Sequence, residues 1–262
     1  MSDGPHPNLV EDRRDRIALL RVDREDRLGA LSREMVEALR RYAEGLTDDP
    51  DVRVLVLTGT GRGFIAGADI NEYEGVDQAA FDAYQRLSRQ TFDAIERLPV
   101  PTIAAVNGYA FGGGFELALC CDLIVASASA RFALPEVSLG LLPGGGGTQR
   151  LTRAVGKRAT KEMVMTGRRL APEEAQSLGL IARLVSPEDL VDSALELAEE
   201  LASKAPLAVR EAKRLIDDGV EASLPAALTL EQRVLSALFA TEDAREGIRS
   251  FLEKRAPRFV GR

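Results

Sequence analysis

The chain has 262 residues, enough for one substantial core or a core with an appendage, and it is 45% hydrophobic and 29% charged, so wholesale disorder is excluded. Its net charge of −7 comes without a dense Lys/Arg block, which argues against a nucleic-acid partner. The apolar stretches, broken by Pro101, Glu116 and Asp122, fall short of the roughly 20 residues a membrane span needs, and the start MSDGPHPNLVEDRRDR is unlike a secretory signal, so no membrane partner and a cytoplasmic location are expected.

Residues 1–8 read as a flexible Gly/Pro-containing leader that holds His6, the sole histidine. With no other histidine, Ser-His-Asp and Cys-His schemes and His-ligated metal sites are disfavoured. Acid-base chemistry then falls to carboxylates, Tyr, Lys or the backbone, and no metal site is expected. A helical period spans 32–46, and DVRVLVLT (51–58) has the continuous apolar character of a strand buried on both faces. A second helical period over 81–98 places Phe81, Tyr84, Leu87, Phe92, Ile95 and Leu98 on one broad face. PTIAAV (101–106), LIVA (123–126) and LIARLV (180–185) are further buried strands, separated by helices over 114–121 and 156–166. Cys120 and Cys121, adjacent in an apolar helix, read as reduced core residues. Strands alternating with helices predict an α/β fold with a largely parallel sheet. After Ser186-Pro187, which suit an N-cap and first-turn pair, the pattern is purely helical, with Leu190, Ala194, Leu197 and Leu201 in period and further segments over 206–218, 225–240 and 242–254. Such a tail folds over its own sheet or packs on another subunit.

Three glycine-bearing segments interrupt this plan. GTGRGFIAGADINEY (59–73) follows the first buried strand; it lacks the Gly-Lys-[Ser/Thr] ending of a phosphate loop. On its own it is a strand-to-helix loop with Asp69 as a possible cap, or a place where glycine lets a backbone N–H face a ligand. Gly112-Gly113-Gly114 precede a helix, whose first N–H groups are unpaired and suited to a developing oxyanion. A glycine triplet alone is more often a packing device, but Glu116, three residues after Gly113 in an otherwise apolar segment, shifts the balance. Glu136 follows twenty residues later, just after Pro135. Alone it is a first-turn Glu favoured by the helix dipole. The run 144–147, without a Walker lysine, reads as a loop permitting close packing.

Together, GRGFIAGADI, NGYAFGGGFELALCCDLIVAS and FALPEVSLGLLPGGGGTQRL resemble the three signature segments of the crotonase superfamily, in order, and most closely those of enoyl-CoA hydratases within the enoyl-CoA hydratase/isomerase family. The resemblance runs over about residues 9–255. It implies a crotonase-like ββα spiral core over 9–200 and a C-terminal helical region over 201–262 that assembles trimers or dimers of trimers. It implies an acyl-CoA thioester substrate, no separate cofactor, and an oxyanion hole from the backbone N–H groups of Ala68 and Gly113. Glu116 and Glu136 match the family's two glutamates, Glu116 mainly to orient and deprotonate water and Glu136 mainly to exchange a proton at C2. The coenzyme A contacts implied are Ala66, Gly67, Ala68, Asp69, Ile70, Gly112 and Gly113, with Phe251 and Lys254 reaching the nucleotide, often from a neighbouring subunit.

The implied reaction is reversible syn hydration of a trans-2-enoyl-CoA, for which two carboxylates of different proton affinity can act on one water. Isomerisation, hydrolysis, decarboxylation or a specialised hydration are the alternatives inside the family, and a non-catalytic or RNA-binding subunit the alternative outside enzymology. Two departures stand out: Asn71 where many members carry Lys, and Gly29 where Asn is usual. Tyr73, Phe81 and Tyr84 are candidates for the acyl pocket and equally for the core.

Overall fold

Continuous apolar runs become strands here because both of their faces are covered. In the computed structural model, which describes residues 4–262, β1 (Leu9–Arg14) and β2 (Ile17–Val22) form a hairpin ahead of α1 (Arg33–Leu46). Three ββα turns follow. The first is β3 (Val54–Gly59), the short β4 (Gly63–Ile65) and α2 (Gln78–Glu96); the second is β5 (Thr102–Val106), β6 (Tyr109–Phe111) and α3 (Gly113–Cys120). The third is β7 (Leu123–Ser127), β8 (Arg131–Ala133), a 3-10 turn (Glu136–Leu139) and α4 (Gly147–Val155). Then α5 (Lys157–Thr166) and α6 (Pro172–Ser177) lead to β9 (Arg183–Val185).

The first strands of the turns build one sheet in the order β1-β2-β3-β5-β7-β9, parallel throughout except for β1 against β2. The second strands build a parallel three-stranded sheet, β4-β6-β8. This is the ββα spiral the resemblance implied. Alternation along β3 sends Leu55 and Leu57 into the main core with α1, α2 and α3, and Val54 and Val56 into a second core against α7 (Leu190–Ala202). Leu190, Ala194, Leu195 and Ala198 of α7 close that second face. Successive turns of the spiral are tied by Asn107, whose Nδ2 donates to the carbonyls of Gly61 (2.9 Å) and Gly63 (3.0 Å) and whose Oδ1 accepts from the Gly59 N–H (3.1 Å).

Several boundaries differ from the sequence reading. Helix α2 begins at Gln78, not at 81, because the Asp77 side chain accepts from the Ala80 N–H (2.8 Å) and caps it. Helix α7 starts at Leu190; Ser186 is no N-cap but donates its hydroxyl to Asp189 Oδ2 (2.6 Å) inside the turn that precedes the helix. Residues 1–3 of the expected leader lie outside the described residues. Beyond them, the Leu9 N–H donates to the His6 carbonyl (2.8 Å) and the Asn8 side chain to that of Asp23 (2.9 Å).

The tail is α8 (Pro206–Gly219), α9 (Leu224–Phe239) and α10 (Glu242–Leu252). Neither α8 nor α9 contributes a buried residue, and Ile216, Val220, Leu224, Leu235, Phe239 and Leu252 lie exposed. One polar tether joins α8 to the spiral: Lys213 Nζ donates to Asp122 Oδ2 (2.9 Å) and to the Val100 carbonyl (3.2 Å).

Candidate active site

Two backbone N–H groups are turned toward one space by ordinary sheet and helix geometry. Ala68 makes a parallel bridge with Leu31, in which the Leu31 N–H donates to the Gly67 carbonyl (2.8 Å) and the Asp69 N–H to the Leu31 carbonyl (2.9 Å). Because successive backbone groups alternate in direction, the N–H of Ala68 itself faces away from Leu31. Asp69 locks this segment: its carboxylate accepts from Arg24 (2.9 Å) and from the Asn71 side chain (2.7 Å). Burial works against its ionisation, yet these hydrogen bonds hold Asp69 below the usual carboxylate range.

Gly113 is the first residue of α3, so its N–H has no partner within the helix. The preceding Gly112 adopts φ 51° and ψ −125°, a conformation essentially restricted to glycine, and a Cβ there would stand 2.9 Å from Glu136 Oε1. A Cβ at Gly113 would lie 3.9 Å from the Ala68 nitrogen, and one at Gly67 would lie 4.0 Å from the Gly113 nitrogen, so the two amides are neighbours. Among the described residues, neither N–H has a hydrogen-bond acceptor in the protein.

These amides line a cavity of about 400 Å3 that also holds Glu116 and Glu136. Glu116, on the first turn of α3, is buried at 3% exposure. Burial raises its pKa, opposed by the amides of Gly147, Gly145 and Gly146 and by the charge of Arg150. The Gly147 N–H donates to Oε1 at 2.7 Å. Residue 145 must be glycine for this approach, since a Cβ there would stand 2.3 Å from the Phe92 ring and 2.8 Å from Glu116 Oε2. Glu136 opens the 3-10 turn with no comparable collar: its Oε2 is buried without a hydrogen-bond partner. Burial, with a further push from the Glu116 charge, raises it to about 7. The geometry therefore pairs a carboxyl group collared by amides with one that has no such collar and is pushed further up, so the two differ in proton affinity.

Of the residues singled out by sequence, Ala66, Gly67, Ala68, Ile70, Gly112, Gly113, Glu116 and Glu136 all border this cavity. So do Tyr73, Phe81 and Tyr84, whose rings meet edge to face with centroids 5.4 Å (Tyr73–Phe81) and 5.5 Å (Tyr73–Tyr84) apart. Asp69 does not border it, its carboxylate being engaged by Arg24 and Asn71. Phe251, at the end of α10, is 83% exposed, and Lys254 follows it in a left-handed backbone conformation; neither borders the cavity within one chain. Asn71, standing where a lysine was expected, spends its side chain on Asp69.

Sequence reasoning missed the amides of residues 145–147 as partners of Glu116, and Gln85 and Ser88 as part of the cavity wall. A usable signal exists for the first, because the glycine run 144–147, like 112–114, opens a helix. Among the described residues, no three His, Cys, Asp or Glu side chains gather as a metal-ligand set, and no helix is long and apolar enough to cross a membrane.

The family model for enoyl-CoA hydratase/isomerase matches residues 12–262. The 2,3-dehydroadipyl-CoA hydratase of Escherichia coli K12 is 42% identical over 255 residues, covering 97% of this chain and 99% of that protein. A probable enoyl-CoA hydratase of Mycobacterium tuberculosis is 39% identical, covering 98% and 99%. The crystal structure of an enoyl-CoA hydratase from Bacillus anthracis superposes with a TM-score of 0.95 at 37% identity, covering 97% of this chain and all of that one. The chain belongs to the enoyl-CoA hydratase/isomerase family.

Proposed function

We propose that the protein catalyses the reversible syn hydration of a trans-2-enoyl-CoA to the 3-hydroxyacyl-CoA. The observation that carries this reading is the meeting, in one cavity, of two unpartnered backbone N–H groups with two carboxyl groups of different proton affinity. The names of the relatives, which are hydratases of enoyl-CoA and dehydroadipyl-CoA, point the same way.

In this reading the thioester oxygen lies against the N–H groups of Ala68 and Gly113. Glu116 takes a proton from a water as its oxygen bonds to C3; the C2–C3 π electrons move toward the thioester oxygen, and Glu136 gives its proton to C2 as the carbonyl re-forms. The net change is addition of one water, and the proton returns from Glu116 to Glu136 through solvent before the next turnover. Negative charge accumulates on the oxygen only near the transition state, so each amide acts on the barrier and is worth on the order of 10²–10³ in rate. The acyl chain runs along the wall formed by Tyr73, Phe81 and Tyr84. No separate cofactor is needed, since coenzyme A is part of the substrate.

The C-terminal region from 201 is read as an oligomerisation region. Its exposed apolar side chains suit a homotrimer or a dimer of trimers, in which Phe251 and Lys254 serve a neighbour's nucleotide. A cytoplasmic location and no nucleic-acid partner fit the acidic chain.

The test is hydration of crotonyl-CoA and longer homologues by the purified protein, followed by loss of the enoyl absorbance and by mass. Products heavier by one water, formed with syn addition in deuterated solvent, are expected. Turnover without mass gain, or an active-site-intact protein inert toward short, medium and branched enoyl thioesters, contradicts the reading.

A further inference from the structure

We propose that Arg150 is a positioning residue for the acid-base site: it clamps the carbonyl of Gly145 so that the amides of residues 145–147 converge on the Glu116 carboxylate. This rests on the reading above in giving Glu116 the proton of the attacking water. Arg150 lies in the first turn of α4 with its side chain 14% exposed. Its Nε and Nη2 grip both oxygens of Glu96, at 2.7 and 2.6 Å, and Nη2 also reaches Asp93 (3.3 Å). The remaining Nη1 donates to the Gly145 carbonyl at 2.6 Å.

The consequence follows from the planarity of the peptide unit. The Gly145 carbonyl and the Gly146 N–H share one plane and point in opposite directions, so fixing the carbonyl on Arg150 turns that N–H away from it. Glu116 lies on that side and draws on the amides of Gly147, Gly145 and Gly146. The guanidinium also fills the space a side chain at 146 would need: a Cβ on Gly146 would stand 2.0 Å from Nη1. Arginine suits this place because its rigid fork serves a carboxylate on one edge and a carbonyl on the other, whereas an ammonium on a flexible stem cannot hold both geometries. Glu96 belongs to α2, the helix whose Tyr84, Gln85, Ser88 and Phe92 border the cavity, so the clamp ties the 145–147 loop to the cavity wall. Around Glu116 the charged and titratable groups are Arg150 from α4, Glu136 from the turn after β8, Tyr73 from the loop ahead of α2, and Cys120 one turn along its own helix.

The experiment compares the full-length wild type with Arg150→Gln, Arg150→Lys and Glu96→Gln. Arg150→Gln is expected to lower kcat on the order of 10²-fold, the cost of misplacing a reacting group by about 1 Å, with little change in KM for crotonyl-CoA. The acid limb of its kcat profile moves to higher pH, because Glu116 loses the amides of residues 145–147 and a nearby cation. Arg150→Lys falls between Arg150→Gln and wild type, and Glu96→Gln shows a smaller change in the same direction, which serves if Arg150→Gln does not fold. Crystal structures of the same variants read the clamp without activity: the Gly147 N–H should leave Glu116 Oε1. A folded Arg150→Gln enzyme with unchanged kcat and acid limb, a change in KM alone, or an undisturbed 145–147 loop overturns the proposal. An inactive wild type would sink the hydration reading, while the crystal structures still decide the clamp.

Discussion

Two glycine runs open helices beside the same cavity and use the same backbone device for different purposes. At α3 the run 112–114 leaves the Gly113 N–H without a partner beside the cavity. At α4 the amides of residues 145–147 serve a resident charge, with the Gly147 N–H 2.7 Å from Glu116. The carboxylate so served is carried by α3 itself, so one helix start provides the side chain and the next provides its hydrogen bonds. Glu136 receives no such collar, and burial leaves it near 7. Two neighbouring carboxyl groups thus acquire separate proton affinities from the direction in which a few glycine amides point.

The largest break in this comparison is removal of the uncollared acid. Glu136→Gln should lower kcat by about 10²–10⁴-fold, the range for a positioned acid or base, with circular dichroism unchanged. The wild-type rate should fall on the alkaline side as Glu136, raised to about 7, loses its proton, and that fall should be absent from the variant. Full activity in this variant would remove Glu136 from the mechanism.

A methyl group in each run separates their roles. Gly145→Ala puts a Cβ 2.3 Å from the Phe92 ring and 2.8 Å from Glu116, so kcat should fall and the acid limb should rise in pH. Gly112→Ala meets Glu136 Oε1 at 2.9 Å and adds backbone strain of about 1–3 kcal/mol. It should lower the melting temperature and disturb the alkaline limb. Equal effects of the two on both limbs would show that the runs are not specialised.

A smaller effect appears in stability. The folded-state pKa of Glu136 lies above its unfolded value, so its contribution is present at acid pH and is lost as pH rises through about 7. Glu136→Gln should therefore gain on wild type by on the order of 1–2 kcal/mol at pH 8 and little at pH 4, allowing for partial solvation. Urea titrations at both pH values check the sign. Smallest is Phe251→Ala, which should raise KM a few-fold for an acyl-CoA and leave the corresponding acyl-pantetheine unaffected.

How far the sequence revealed this differs by element. The buried strands β3, β5 and β7 were legible because covering on both faces removes polar alternation from their residues. The three-residue strands β4, β6 and β8 are too short to show a period, so only the resemblance implied the second sheet. Glu116 was legible as a charge in an apolar helix. The use of residues 145–147 was not, because its partner stands 31 positions away from Gly147 and meets it only through the stacking of α3 and α4. Arg150 looks in sequence like any solvated helix charge; only the approach of α2 reveals Glu96 beside it. The tail read correctly as helical, but sequence period could not show that α8 and α9 bury nothing within the single chain.

The most direct measurement is a crystal structure of the protein with a saturated, unreactive acyl-CoA such as butyryl-CoA. The account predicts the thioester oxygen within about 2.7–3.1 Å of both the Ala68 and Gly113 nitrogens, with C2 and C3 between the Glu116 and Glu136 carboxyl groups. A thioester oxygen bound elsewhere, or an acyl chain that bypasses either carboxyl group, would contradict it.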